Sequence, residues 1–181
     1  SDVYKRQLYN ETLGNIMQDN LDQLGVPEFS KEEHLYAKKY QDTLTRKDIE
    51  SAYSHAGIDL VEGQVLAETV VAGDVKPVDM GGSTDVADVS WVVPTVSLWG
   101  ANYAIGTPFH SWQMTAQGKS SIAIKGMTHA AMVMAATGSD LISNKTILDD
   151  AWSEHNKTIE KTGYMLPISL SASPPIKDMT P

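Results

Sequence analysis

The fold class depends on residues 92–98, whose sequence is Val92-Val93-Pro94-Thr95-Val96-Ser97-Leu98. This run is short, apolar and rich in β-branched side chains, which is typical of a strand. Because Pro94 has no backbone N–H to donate, the strand is expected at a sheet edge or to start near this residue. A second run of this kind, residues 65–71, is followed by Gly73. Two such runs among helical segments predict an α/β fold, with helices packed on a small mixed sheet.

The helical segments on both sides of these runs have clear start and stop signals. Asn10 can cap a helix that continues to Leu24, and Ser30 with Glu33 forms a capping box for a second helix. Further helices are predicted over residues 47–56, from a cap at Ser83 or Thr84 to Trp91, over residues 120–142, and from Asn144 to Gly163. Small residues along 120–142 favour close packing of that helix on the sheet.

The composition limits the classes of partner and of site. The chain has 181 residues, which fits one domain, and its 23 acidic and 14 basic residues give a net charge of −9. This charge disfavours binding to nucleic acid or to an anionic membrane surface. Since there is no cysteine, His, Asp or Glu must bind any metal. With no apolar stretch near ~20 residues long and no secretory signal, a cytoplasmic location is expected.

The histidines do not define a zinc site by their spacing, because no two of them form an HxH or HxxxH pair. The five residues are His34, His55, His110, His129 and His155. We interpret His34 and His55 as surface residues, His155 as a helix-surface or interface residue, and His129 as a core residue. His110 differs because it lies in an irregular, aromatic-rich loop after the predicted strand, where α/β folds often place their sites.

Several separated motifs occur in an order and at spacings that are characteristic of one family. They are GSTDVADVSW (82–91), PTV (94–96), AIGTP (104–108) with His110, WQ (112–113), AQGK (116–119), KGM (125–127) and HAA (129–131). Through these motifs the chain resembles the zinc-dependent aminoacylase and carboxypeptidase-G type of metallopeptidases and amidohydrolases. The resemblance extends from about Leu8 to the end.

The resemblance implies that residues 8–181 are the C-terminal segment of a catalytic domain. The upstream half of that domain and an inserted dimerisation domain would be missing, and the complete protein would form a homodimer or a hetero-oligomer. Residues 1–7 fit no pattern that continues into Leu8, and they resemble a translated sequencing-adapter scar. We therefore expect residues 1–7 to be non-native.

The chemistry that the resemblance implies is hydrolysis of the amide bond of N-acyl or aminobenzoyl amino acids, such as aminobenzoyl-glutamate. Two divalent metals, zinc or manganese, would activate a water, and an upstream Glu would act as the general base. His110 matches the family's last metal ligand, and Asp85 lies in the family's loop beneath the site, where it would hold that loop or orient the ligands. A carboxylate in a favourable helix-start position is the alternative interpretation of Asp85. No residue matches the general base, so the chain alone is expected to be inactive.

Two other functions stay open at this point. The same fold could be a catalytically silent interaction module, which the absence of metal ligands from the upstream sequence would indicate. A serine hydrolase built from Ser111, His110 and Asp85 ranks last. Adjacent Ser and His side chains seldom form a nucleophile–base pair, and the sequence has no GxSxG elbow.

Overall fold

A computed structural model describes residues 7–73, 84–164 and 171–173. Seven helices occur in these ranges. They are α1 (Glu11–Leu24), α2 (Lys31–Gln41), α3 (Arg46–Ala56), α4 (Val86–Val92), α5 (Trp112–Gln117), α6 (Ser121–Ser143) and α7 (Lys145–Thr162). Within the described ranges, no helix combines the length and the apolar character needed to cross a lipid bilayer.

The predicted α/β fold with helices on a small mixed sheet is wrong, because the described part of the chain contains helices and irregular segments but no strand. Residue 92 belongs to the last turn of α4, and its side chain is 59% exposed. In the other apolar run, Val65 and Leu66 are buried in an irregular segment. One backbone hydrogen bond, from the amide of Ile105 to the carbonyl of Val65 (2.9 Å), joins that segment to the segment around Ile105. A single hydrogen bond is too few to form a β-ladder.

The helix boundaries follow the capping signals in the sequence, and the predicted helices are confirmed. The side chain of Asn10 accepts a hydrogen bond from the amide of Leu13 (3.0 Å), and Ser30 and Glu33 make a reciprocal capping box. Helix α4 begins near Thr84, as expected, while Ser83 lies outside the described residues. Helix α5 was not predicted, because six residues are too few to show a period.

Helices α1, α6 and α7 pack against one another and form the larger layer of the molecule. The carboxylate of Glu154 on α7 accepts hydrogen bonds from the amides of Glu11 (2.6 Å) and Thr12 (3.0 Å). The buried amide of Asn10 donates to the carbonyl of Ala151 (3.0 Å). Helix α7 therefore satisfies free backbone groups at the start of α1, in addition to burying its apolar face.

The first seven residues are represented in the structure by Gln7 alone. Its side-chain amide donates a hydrogen bond to the hydroxyl of Ser97 (3.0 Å) at an exposed position. Residues 1–6 lie outside the described ranges. The non-native origin of residues 1–7 stays a prediction.

A second layer forms where α2 and the start of α6 enclose two irregular segments. Its core contains small and aliphatic side chains, and three aromatic side chains pack against it. These are Ala37, Val65, Leu66, Ala104 and Ile122, covered by Phe29, Tyr36 and Tyr40. Ala104 is completely buried here, so the core fixes the position at which the segment towards His110 begins.

Glu33 connects α2 to the start of α6 through a buried carboxylate. Its Oε2 atom accepts from the backbone amide of Ser30 (2.6 Å) and from Nζ of Lys125 on α6 (2.7 Å). Burial opposes the charged form, but hydrogen bonds from Lys125, Ser121 and Ser30 outweigh it and lower the pKa of Glu33 from 4.5 to about 2. The ionised side chain thus holds the start of α2 against the start of α6.

Replacement of Glu33 by Gln is expected to lower the free energy of unfolding by about 2 kcal/mol at pH 7, because a buried charged partner of Lys125 is lost. The folded-state pKa lies below the unfolded one, so this contribution is complete above about pH 4.5 and is lost as the pH falls towards 2. Urea unfolding from pH 7 to pH 2 measures it. Glu160→Gln is the control, because Glu160 is exposed on α7. A Glu33→Gln defect of equal size at pH 7 and pH 2 would contradict the assignment.

Candidate functional site

Gly106 sets the course of the loop that runs from Ala104 to Gln113. Its φ angle is +89°, and a Cβ atom at this position would lie 2.9 Å from Cα of Ile49 on α3. Both the backbone angle and the close approach require glycine. The loop is therefore fixed against the first turns of α3 before it reaches His110.

The buried side chain of Gln117 forms hydrogen bonds with both ends of this loop. Its side chain is 1% exposed, and its Oε1 atom accepts from the amide of Ala104 (2.8 Å). Its Nε2 atom donates to Oγ1 of Thr107 (3.1 Å) and to the carbonyl of Gln113 (3.1 Å). A single buried amide thus satisfies polar groups before and after His110, which restricts the positions that the loop can take.

His110 lies at the outer turn of this loop, immediately before the N-cap of α5. Its φ angle is +59°, and within the described ranges it is the one non-glycine residue with a positive φ. The left-handed conformation costs a non-glycine residue roughly 1 kcal/mol and persists where the surroundings impose it. The side chain is exposed, so its imidazole is accessible to a group from outside the described residues.

Ser111 does not act as a nucleophile in this arrangement, because its hydroxyl is used in the loop. The hydroxyl oxygen accepts from the amide of Met114 (3.2 Å) as the N-cap of α5, and the hydroxyl donates to the carbonyl of Pro108 (2.7 Å). An activated serine would donate to a histidine instead. The structure gives no support to the serine hydrolase alternative.

Asp85 lies at the start of α4, in a helical backbone conformation and exposed to solvent. Its side chain makes no capping hydrogen bond, and the hydroxyl of Thr84 accepts from the amide of Val86 instead (3.2 Å). The position agrees with the helix-start interpretation of the carboxylate. A role for Asp85 in supporting metal ligands stays a prediction.

The described residues do not fit a complete metal site. In these ranges no group of three or more His, Asp and Glu side chains is placed to hold an ion. A catalytic zinc normally takes three protein ligands, and a structural zinc takes four. His110 can supply one ligand, and the described part of the chain does not bring the others to it.

Of the remaining histidines, His55 on α3 is exposed, while His34 and His155 make local hydrogen bonds. The ring of His34 bonds to the carbonyl of Ser30 (2.8 Å) and to the carboxylate of Glu68 (2.8 Å), and both interactions raise its pKa. His155 is buried, with Nε2 at 3.1 Å from the carbonyl of Ser90. Its position between α7 and α4 agrees with an interface residue. His129 on α6 is half-buried, and its Nε2 atom has no hydrogen-bond partner among the described residues, so its interpretation as a core residue stays a prediction.

Exposed aromatic side chains lie on both sides of His110. On one side, the Phe109 ring has its centroid 5.7 Å from that of Trp99 and 6.2 Å from that of Tyr103. On the other side, Trp112 lies 6.2 Å from Tyr40 of α2. Trp99, Phe109 and Trp112 are 63%, 51% and 62% exposed, so large aromatic side chains are accessible in the segments before and after the candidate ligand.

Replacement of Gln117 by Leu is expected to lower the free energy of unfolding by about 2 kcal/mol, because the amide of Ala104 becomes a buried donor without a partner. Chemical denaturation of the chain measures this change. Gln113→Leu is the matched control, since its side chain makes a long, exposed bond to Thr43 (3.3 Å), and its effect should stay below ~0.5 kcal/mol. Equal effects of the two substitutions would show that Gln117 does not hold the loop.

Comparison with known proteins confirms the resemblance that the motifs indicate. The chain is 38% identical, over 181 aligned positions, to the B subunit of p-aminobenzoyl-glutamate hydrolase from Escherichia coli (strain K12). The match includes 94% of this chain and 38% of that protein, and it falls in a C-terminal portion of it. The chain therefore spans well under half the length of the relative. No protein-family model matches the chain. No solved structure matches it.

Neither Gly106 nor Gln117 was assigned a role from sequence, although both belong to the motifs that carry the resemblance. Gly106 faces Ile49, and Gln117 faces Ala104 and Thr107. The signals in the sequence were a glycine directly before Thr-Pro and a glutamine in a segment without a clear period. Neither signal identifies the partner, because each contact is made by tertiary packing.

Proposed function

We propose that the complete protein hydrolyses the amide bond of aminobenzoyl-glutamate or of a closely related N-acyl amino acid, and that this chain forms one part of the active site. The observation that carries the proposal is the similarity, over nearly the whole chain, to a protein whose name states that activity. The accessible imidazole of His110 on a fixed loop supports it, because such a group is free to take part in a site completed by other residues.

The proposal assigns His110 to one of two divalent metals, zinc or manganese, in the complete site. Imidazole is a common ligand of both zinc and other first-row metals. The remaining ligands and the general base would come from residues outside this chain. Asp85 would support the site without touching the metal.

The proposal also concerns assembly. The relative is named as one subunit of a hydrolase, and a subunit is a component of a larger assembly. The complete protein is therefore proposed to function in an oligomer, either with a second type of subunit or with a copy of itself.

The test uses the full open reading frame that contains this chain. The purified protein is expected to release p-aminobenzoate from p-aminobenzoyl-glutamate, to contain divalent metal, and to lose activity on dialysis against a chelator. Residues 8–181 alone are expected to show no turnover with added zinc or manganese. A folded, full-length protein without metal and without amide hydrolysis would indicate the silent interaction module instead.

A further inference from the structure

A cluster of three aromatic rings next to His110 is more exposed than aromatic side chains in a folded protein usually are. The cluster consists of Trp99, Tyr103 and Phe109, and its two outer rings are 63% and 51% exposed. Large aromatic side chains account for much of the burial in protein cores, and contiguous exposed apolar surface commonly marks a binding site. The exposure of the cluster therefore indicates that it binds a group with an apolar surface.

Two residues of the cluster are held in position by the residues that follow them in the chain. Tyr103 directly precedes Ala104, which is completely buried and whose amide bonds to Gln117. Phe109 directly precedes His110, whose left-handed backbone restricts the direction of the chain. Tyr103 is half-buried, and this burial raises the pKa of its hydroxyl. A fixed apolar surface binds a rigid ligand with little loss of conformational entropy.

The arrangement of the rings suits a single additional aromatic ring. Trp99 and Phe109 are tilted by 57°, and Tyr103 and Phe109 meet edge to face at 81°. These pairings leave ring surface of Trp99 and Phe109 uncovered, as their exposure shows. A ring of benzene size could therefore contact both at once, in the offset or edge-to-face geometries that aromatic pairs prefer.

Trp112, on the other side of His110, provides a useful comparison. It is 62% exposed, but its neighbour Tyr40 is itself paired with Tyr36 and packed on the core. It thus presents one exposed ring, whereas the Trp99 side presents two exposed rings that contact each other, with their centroids 5.7 Å apart. The choice between the two sides is testable because Trp99 and Trp112 are the same residue type with nearly equal exposure.

We propose that Trp99 and Phe109, supported by Tyr103, bind the aromatic ring of the acyl group of the substrate and so select aryl amides over aliphatic ones. This inference rests on the proposed function for the identity of the reaction. It goes further by assigning the preference for an aryl acyl group to two residues. The step is one of binding and involves no covalent change at these side chains.

The experiment measures KM and kcat of the full-length protein and its variants for p-aminobenzoyl-glutamate. It also measures their binding of N-acetylglutamate, which has the same amino acid but no ring. Trp99→Leu and Phe109→Leu are each expected to raise KM about tenfold, the factor that 1.4 kcal/mol gives, with kcat changed less than about twofold. Binding of N-acetylglutamate, as substrate or inhibitor, and the melting temperature should be unchanged. Trp112→Leu is the matched control and should leave all four quantities at the wild-type values.

Three results would overturn the inference. The first is an unchanged KM in both variants. The second is an equal weakening for N-acetylglutamate together with a lower melting temperature, which would show that the rings pack on another part of the protein. The third is an effect of Trp112→Leu as large as that of Trp99→Leu.

A separate measurement distinguishes failure of this inference from failure of the proposed function. Equilibrium binding of p-aminobenzoate to the full-length protein does not require turnover. If the wild-type protein cleaves nothing but binds p-aminobenzoate about ten times more tightly than Trp99→Leu does, the proposed reaction is wrong and the aryl site stands. If it cleaves the substrate and both variants bind p-aminobenzoate as well as the wild type does, the reaction stands and the aryl site is wrong.

Discussion

Replacement of His110 by alanine in the complete protein is expected to lower kcat/KM for amide hydrolysis by at least about 100-fold, the scale on which loss of a positioned catalytic group is usually felt. The exposed imidazole contributes little to packing, so the melting temperature should change little. At least one equivalent of metal should be lost, because removal of one ligand from a set of three leaves the ion with only two protein ligands. Metal analysis and initial rates measure the two effects on the same sample.

The backbone of His110 needs its own control, since its φ angle is +59°. Asparagine tolerates this conformation better than alanine does, and it has no imidazole. His110→Asn should therefore match His110→Ala in activity and in metal content. His55→Ala removes an exposed histidine on α3 and should change neither quantity. If His110→Asn retained normal metal and normal turnover, the assignment of His110 as a ligand would be wrong.

The helices were predictable because their signals are local. The cap of α1 and the capping box of α2 each lie within three residues of the groups that they satisfy. The glycine that ends α3 has the positive φ angle that such a position requires, with a value of 70° at Gly57. These interactions are decided before the chain makes long-range contacts, so residue types alone identify them.

The sequence did not show that the two apolar runs would fail to form a sheet, because a strand is defined by its hydrogen-bonded partner and not by its own composition. The buried Leu66 shows that apolar character in one of the two runs reflects contact with the core. The exposed Val92 shows that β-branched residues can also end a helix. The α/β prediction was therefore wrong because it interpreted apolar, β-branched runs as strands paired in a sheet.

The candidate site shows the same division between local and long-range signals. His110 was singled out by its position in a predicted irregular loop and by a resemblance, and the structure adds that its side chain is exposed. The residues that hold the loop could not be identified in advance, because their partners are distant in sequence. Gly106 meets Ile49 of α3, and Gln117 meets Ala104 across the loop. Composition shows which side chains are present, but not which backbone atoms they will face.

The second large effect is expected at Gly106, where alanine should lower the free energy of unfolding by roughly 2–5 kcal/mol. The positive φ angle of 89° contributes about 1–2 kcal/mol of this loss. The new Cβ atom, at 2.9 Å from Cα and 3.1 Å from N of Ile49, contributes roughly 1–3 kcal/mol more by overpacking. Because the atoms that it meets include backbone, α3 and the loop must separate.

Gly138→Ala is the matched control for this substitution. Gly138 lies within α6, and a Cβ atom there meets nothing within 4 Å. Alanine at this position should stabilise the chain by roughly 0.5–1 kcal/mol, the difference in helix propensity. A second variant, Gly106→Ala with Ile49→Ala, should recover little, since Cα and N of residue 49 remain in place. Urea unfolding of the three variants measures the differences, and full recovery in the double variant would show that the side chain of Ile49, and not its backbone, fixes the position of the His110 loop.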